Sequence, residues 1–85
     1  MELTGGTTDQ KTFQQNSTAE LTSATEENLK KITTLSLDAS QKEMVSQIRQ
    51  FLDESKAAVA AGDLDRGHSL ARKARLLSDE LLKPE

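Results

Sequence analysis

The chain lacks cysteine, tryptophan and tyrosine, and it has one proline and two phenylalanines among its 85 residues. Without cysteine it can form no disulfide, no thiolate nucleophile and no thiolate metal site. No apolar run is long enough for a membrane span or for the core of a signal peptide. Because only 34% of the residues are apolar, a chain of this length can bury only a thin core in one small domain.

The charge is nearly balanced and provides no basic surface. The net charge is −3, with six acidic residues and three lysines in residues 1–38 and eight acidic and eight basic residues in 39–85. Neither part has the basic excess typical of nucleic-acid binding, so we expect no nucleic-acid partner. No predicted helix combines a Lys/Arg-rich face with large aromatic residues, and membrane contact through this segment is therefore not expected.

The clearest pattern is an amphipathic helix predicted over about 41–61. Its apolar residues recur at alternating spacings of three and four, and they form one wide face. Ser40 and Glu43 match a capping box, in which the hydroxyl accepts from a free helix N–H and the carboxylate reaches back. Gly62 supplies the left-handed residue that commonly ends a helix.

A third helix is predicted over about 64–82. Asp63 is a typical N-cap, and Pro84 disfavours helical geometry in the residue before it. The short connection makes this helix antiparallel to the preceding one. Its buried side carries a ridge of small residues that lets a neighbouring backbone come close: Gly67, Ala71, Ala74 and Ser78.

A first helix is predicted over about 17–36, because Ser17 and Glu20 form a capping box ahead of an apolar stripe diluted by threonine. Residues 1–16, rich in Gly, Thr, Gln and Asn, are predicted to be a disordered tether. Two arrangements stay open: the first helix folds back, or it extends into a rod and a second copy covers the hairpin. We predict an all-α fold, a small three-helix bundle built on an antiparallel helical hairpin over residues 17–85. The predicted core is Leu21, Ile32, Leu35, Met44, Ile48, Phe51, Leu52, Val59, Leu64, Leu70, Ala71, Ala74, Leu77 and Leu81.

The third helix resembles the second helix of a tetratricopeptide repeat. The matching residues are Gly62, Asp63, Leu64, Gly67, Lys73, Ala74 and Leu77. Leu64 stands where the motif has an aromatic residue, and Asp79 stands where it has a closing proline. The resemblance covers one helical hairpin, and it implies a peptide-binding module. A single repeat cannot bury its own apolar face, so something else must cover the hairpin.

The same region is similar to helical C-terminal regions of uncharacterised bacterial exported or lipid-anchored proteins. The matching segments are Gln47-Ile48-Arg49, Gly62-Asp63-Leu64, Leu70-Ala71, Lys73-Ala74 and Leu76 to Leu81. This resemblance implies an extracytoplasmic bacterial location. It implies no activity.

Catalytic and cofactor chemistry finds little support in the residues. One histidine without cysteine cannot build a zinc site. Carboxylate pairs such as Glu26-Glu27 and Asp53-Glu54 are adjacent on helices, so their side chains point apart and cannot share acid–base work. We expect no enzyme activity, no cofactor, no metal and no small-molecule substrate.

The remaining candidates form a partner surface. His68, Arg72 and Arg75 share one edge of the third helix with Asp79, and Leu76 lies on its polar side. The alternative is an ordinary solvated face in which Arg75 pairs with Asp79. The leading hypothesis is a non-catalytic helical interaction or assembly module that binds a protein partner or itself, and the alternative is a tetratricopeptide-like peptide-binding module. The candidate partner surface is Arg49, His68, Arg72, Arg75 and Leu76.

Overall fold

A computed structural model describes residues 6–83, with side chains from residue 13 onward. Its secondary structure consists of three helices in chain order, α1 (Gly6–Ile32), α2 (Ala39–Ala60) and α3 (Leu64–Leu82). This confirms the predicted all-α fold. The bounds of α3 coincide with the predicted 64–82. α2 was predicted over 41–61, and it begins two residues earlier, at Ala39, and ends one residue earlier, at Ala60.

α3 is the central helix of the bundle. Both α1 and α2 pack along it, while the backbones of α1 and α2 approach each other at few points. α1 runs parallel to α3, since Gln14 bonds to Asp65, and Asn28, further along α1, bonds to Asp79. α2 runs antiparallel to α3 because the connection between them is short. The first helix therefore folds back onto the hairpin and is not an extension of α2 into a rod.

The turn between α2 and α3 has the structure that the sequence predicts. Gly62 adopts a φ of +85°, the left-handed region that a residue without Cβ occupies at little cost. The Gly62 N–H donates to the Val59 carbonyl at 3.0 Å, and the Asp63 N–H donates to the Ala58 carbonyl at 2.8 Å. These two bonds form a Schellman motif. The Asp63 carboxylate accepts from the Arg66 N–H at 3.3 Å, so Asp63 is the N-cap of α3.

The N-terminus of α2 differs from its prediction. The capping box is formed by Asp38 and Gln41, two residues before the predicted pair. The Gln41 N–H donates to the Asp38 carboxylate at 2.8 Å, and the Asp38 N–H donates to the Gln41 Oε1 at 2.9 Å. Ser40 and Glu43 lie inside the helix. Aspartate and serine are about equally good N-caps, so residue type does not choose between the two overlapping patterns, and the helix begins at the earlier one.

This correction yields a test. We expect Asp38→Ala to lower the free energy of unfolding by about 1 kcal/mol, because the Gln41 N–H loses its partner at the helix end. The matched change Ser40→Ala, one position inside the helix, should leave stability within about 0.5 kcal/mol of the parent. Urea unfolding followed by circular dichroism measures both. A larger loss for Ser40→Ala than for Asp38→Ala would restore the predicted box.

α1 begins at Gly6, well before the predicted start at Ser17. Ser17 is an interior residue of α1 and not its cap. The predicted tether, residues 1–16, therefore overlaps α1 over residues 6–16, and residues 1–5 lie outside the described residues. Threonine and asparagine are only modest helix formers, but tertiary contacts such as that of Gln14 with Asp65 override weak propensity.

α1 also ends earlier than the predicted residue 36. The Thr33 and Thr34 hydroxyls donate to the Lys30 and Lys31 carbonyls at 3.1 and 2.6 Å, so side chains satisfy backbone acceptors at the helix end. Leu35 consequently lies in the connection to α2 and is 51% exposed, so its prediction as a core residue is wrong. Leu37 packs against the core in the same connection.

The core is a small apolar cluster to which all three helices contribute. Ile32 and Ile48 are fully buried at its centre. Of the predicted core, Ile32, Ile48, Leu52, Leu70, Ala71 and Ala74 are buried, while Leu21, Met44, Phe51, Val59, Leu64, Leu77 and Leu81 are half-buried. Leu29 and Val45 are buried although the predicted core does not include them. The cluster consists of Leu29, Ile32, Val45, Ile48, Leu52 and Ala74.

The predicted ridge of small residues on α3 is buried, and it lets α2 come close. The approach is close at Gly67: a Cβ added there would lie 2.5 Å from Val59 Cγ2 and 3.2 Å from the Ser55 carbonyl oxygen. The Ser55 hydroxyl, fully buried, donates to the Gly67 carbonyl at 2.6 Å. A side chain at 67 therefore requires the Val59 side chain or the α2 backbone to shift.

We expect Gly67→Ala to destabilise the fold by about 1 kcal/mol net. Overpacking costs about 1–3 kcal/mol, and the better helix propensity of alanine returns about 1 kcal/mol. The double variant with Val59→Ala removes the atom that the new methyl group meets. A double-mutant cycle compares the effect of Gly67→Ala on thermal stability in the parent and in the Val59→Ala background. In the Val59→Ala background, Gly67→Ala should destabilise the fold less than in the parent, or stabilise it. Equal costs in both backgrounds would contradict the assigned close approach.

Candidate functional site

α3 has a side that neither α1 nor α2 covers, and we call it the α3 outer face. Leu76 lies at its centre and is 58% exposed, which makes it one of three exposed large apolar side chains among those described. Charged residues surround it on both sides along the helix. The α3 outer face consists of Ser69, Arg72, Lys73, Leu76, Glu80 and Lys83, all of them exposed.

His68, predicted to belong to the partner surface, lies between α1 and α3. It is half-buried, and its Nε2 is 3.2 Å from the Ser17 hydroxyl oxygen of α1. Nearby, Gln14 Nε2 donates to Asp65 Oδ1 at 2.6 Å, a second polar contact between α1 and α3. The contact that the structure gives His68 is therefore one that holds α1 against α3.

Arg75 lies on the same side of α3 as His68 and Asp79, seven residues after the first and four before the second. Its Nε is 3.7 Å from the Asp79 carboxylate, the four-residue pairing that the sequence also allowed, and both side chains are 47% exposed. Asp79 in turn accepts from Asn28 Nδ2 at 2.8 Å. Asn28 also donates to the hydroxyl of Ser78, which is fully buried. This arginine is thus engaged at the edge of the bundle.

Arg49 is on a different side of the molecule from Arg72. It lines a shallow depression between α1 and α2 together with Glu26 and Lys30. Arg72 is exposed on α3. The predicted partner surface therefore separates: Arg72 and Leu76 share the α3 outer face, Arg75 is paired with Asp79, and Arg49 and His68 lie elsewhere.

A groove runs between α1 and α2, with a volume of about 350 Å³. The Lys56 ammonium donates to the Glu26 carboxylate across it at 3.0 Å. The rest of its lining is mainly hydroxyl, amide and small apolar side chains. The lining residues are Gln15, Thr18, Ala19, Thr22, Ser23, Glu26, Ser55, Lys56 and Val59.

Sequence reasoning missed the polar contacts that join α1 to α3. A helical wheel places Asn28 and Thr25 on the inward stripe of the first helix, and both positions are indeed covered in the bundle, Thr25 fully. The Thr25 hydroxyl donates to the Leu21 carbonyl at 2.7 Å, which satisfies it within its own helix. Asn28 is a polar residue inside an apolar stripe, which indicates that it has a hydrogen-bond partner in the bundle. The sequence does not identify that partner, because Ser78 and Asp79 lie some fifty residues away.

Within the part of the chain that the structure describes, no three histidine or carboxylate side chains lie close enough together to hold a metal ion. None of the helical segments described there has the length and apolar character to cross a membrane. The titratable side chains singled out above instead make contacts that hold the helices together or lie in solvent.

No protein-family model, curated protein or solved structure matches the chain. The resemblances to a tetratricopeptide hairpin and to helical regions of bacterial exported proteins therefore stay predictions.

Proposed function

We propose that this chain is a non-catalytic helical interaction or assembly module that binds a protein partner through the α3 outer face. The observation that carries the proposal is Leu76, 58% exposed on the helix that the other two helices pack against. A scattered exposed leucine is ordinary in a soluble protein. Here the exposed Arg72 lies one turn before it, and arginine is among the residues enriched at interfaces.

A binding role agrees with how the chain uses its polar groups. His68 and Asn28 contact the neighbouring helix, and Asp63 caps α3. Glu26 and Lys56, the charged residues of the groove, pair with each other. A general acid–base pair needs side chains free to reach a substrate. These groups serve packing and capping, which favours a scaffold over a catalyst.

The test is position-resolved photo-crosslinking in the organism that encodes the chain. A photoreactive amino acid replaces Leu76 in one strain and Gln50, exposed on α2, in the control strain. We expect a discrete crosslinked product from position 76 and none from position 50. Equal labelling at both positions, or no product at either, would contradict binding through the α3 outer face.

A second candidate function, peptide binding of the tetratricopeptide kind, is supported by the groove between α1 and α2. Its concave, hydroxyl-rich lining could hold an extended or helical peptide. A peptide in such a groove needs polar side chains that clamp it, but Arg49 and Arg72 of the candidate partner surface lie on different sides of the molecule, which weakens this alternative. Panning a displayed peptide library tests it: the selected peptides should lose binding to Thr22→Arg, which fills the groove, and keep binding to Leu76→Ala.

A further inference from the structure

The order of charges along the α3 outer face has a particular symmetry. Arg72 lies four residues before Leu76, and Glu80 lies four residues after it. Lys73 precedes Leu76 as well, so within about one turn of the leucine the basic residues are on one side and the acidic residue is on the other. All four side chains are exposed.

We propose that the α3 outer face binds the same face of a second copy of this chain, antiparallel about a two-fold axis that passes near Leu76. In such an isologous contact, residues equally far before and after the axis meet. Leu76 packs on Leu76 of the other copy. Arg72 faces Glu80 of the other copy, and the symmetry repeats that opposite-charge pair.

The other orientation is disfavoured by the same charges. In a parallel pairing with Leu76 in register, Arg72 would face Arg72 and Glu80 would face Glu80. Like charges directly opposite each other at an interface are repulsive, and they suppress the wrong register. The antiparallel arrangement is thus the one in which both signs find partners.

Other occupants fit this face less well. An acidic peptide would be attracted by Arg72 and Lys73 but repelled by Glu80, and a basic peptide would meet the reverse. A membrane surface requires a Lys/Arg-rich polar face with several large apolar residues, whereas this face has one leucine with an acidic residue one turn away. A second copy matches both signs at once.

The side chains that the contact needs are available. Glu80 lies 3.5 Å from the Lys83 ammonium within its own helix, but both side chains are well exposed, at 59% and 68%. Exposed pairs of this kind contribute little to stability, so Glu80 can exchange Lys83 for Arg72 of the other copy. One leucine and two exposed ion pairs form a small contact. We therefore expect a weak, concentration-dependent dimer that salt weakens further.

The test uses two charge reversals in the full chain, Arg72→Glu and Glu80→Arg. Each alone places like charges opposite each other twice in the dimer. Mixed in equal amounts they restore both opposite-charge pairs, because at each contact a copy with two carboxylates meets a copy with two guanidinium groups. Sedimentation equilibrium over a concentration series at low salt gives the dissociation constants. Lys42→Glu and Glu43→Arg, exposed on α2, make the matched control pair with the same kind of charge reversal.

We expect each variant alone to dimerise about tenfold more weakly than the parent, the mixture to form a heterodimer at least as tight as the parent dimer, and the control pair to change little. The double variant Arg72→Glu/Glu80→Arg should self-associate like the parent. Circular dichroism verifies that each variant is folded. A parent chain that stays monomeric throughout, or a mixture no tighter than its components, would overturn the proposal.

This inference rests on the proposed function, and the two can fail separately. A crosslink from position 76 to a different protein, together with a monomeric chain, would refute the second copy and keep the interaction module. A crosslinked product that contains two copies of this chain would support both. Absence of any crosslink from position 76 would remove the interaction module itself.

Discussion

Ile48→Ala should lower the free energy of unfolding by about 2–5 kcal/mol, the largest effect that we expect from a single substitution in this chain. Ile48 is fully buried in the apolar cluster that joins all three helices. Truncation removes apolar contacts and leaves a cavity that the neighbouring side chains fill only in part. A chain of this length is expected to have a total stability of about 4–13 kcal/mol, so the loss is a large fraction of it.

Guanidinium unfolding followed by circular dichroism measures this loss, with Gln47→Ala, the exposed neighbour, as the control. Ile32→Ala should cost a similar amount, since Ile32 is fully buried in the same cluster from α1. The comparison is informative because Ile32 is needed only if α1 docks. If Ile48→Ala lowers the free energy of unfolding as expected and Ile32→Ala does not lower it, the hairpin folds without α1.

Ala71→Leu should destabilise the fold by about 1–3 kcal/mol through overpacking. Ala71 is fully buried on α3, at the point where the ridge of small residues meets the helices packed on it. Three additional carbon atoms can be accommodated only if a neighbouring helix moves away or if side chains leave their preferred rotamers. The expected result is a lower melting temperature.

The control for Ala71→Leu is the same substitution at an exposed alanine, Ala57→Leu on α2. Leucine and alanine have similar helix propensities, so the control should change stability by less than about 0.5 kcal/mol. Thermal melts of both variants measure the difference. A melting temperature for Ala71→Leu as high as that of the control would remove the ridge from the core.

Local sequence signals predicted the hairpin correctly. Gly62 and Asp63 fix the turn through their own backbone and side-chain geometry, and neither depends on distant residues. The periodicity of α2 and α3 is likewise local. The start of α2 was misplaced because two capping patterns overlap within six residues, Asp38 with Gln41 and Ser40 with Glu43. Propensity alone does not choose between them.

The first helix was harder to predict because what holds it is not local. Its polar composition indicates weak helix propensity, yet Ser17 and Asn28 find partners on α3 about fifty residues later. The same non-local packing changes the candidate site. A helical wheel places His68 beside Arg72, but it cannot show that α1 covers one of them and leaves the other in solvent.

The docking of α1 against α3, parallel and alongside, is the central claim of this structure. The absence of native cysteine allows two spin labels to be attached at Glu20→Cys on α1 and Arg75→Cys on α3, both exposed. Double electron–electron resonance, with the labelled chain diluted in unlabelled chain, then measures their separation. Docked helices about 8–10 Å apart predict a narrow distribution centred below about 30 Å, label linkers included. An α1 that extends from α2 as a rod would place the labels roughly 40 Å or more apart, and a broad distribution at that distance would contradict the fold.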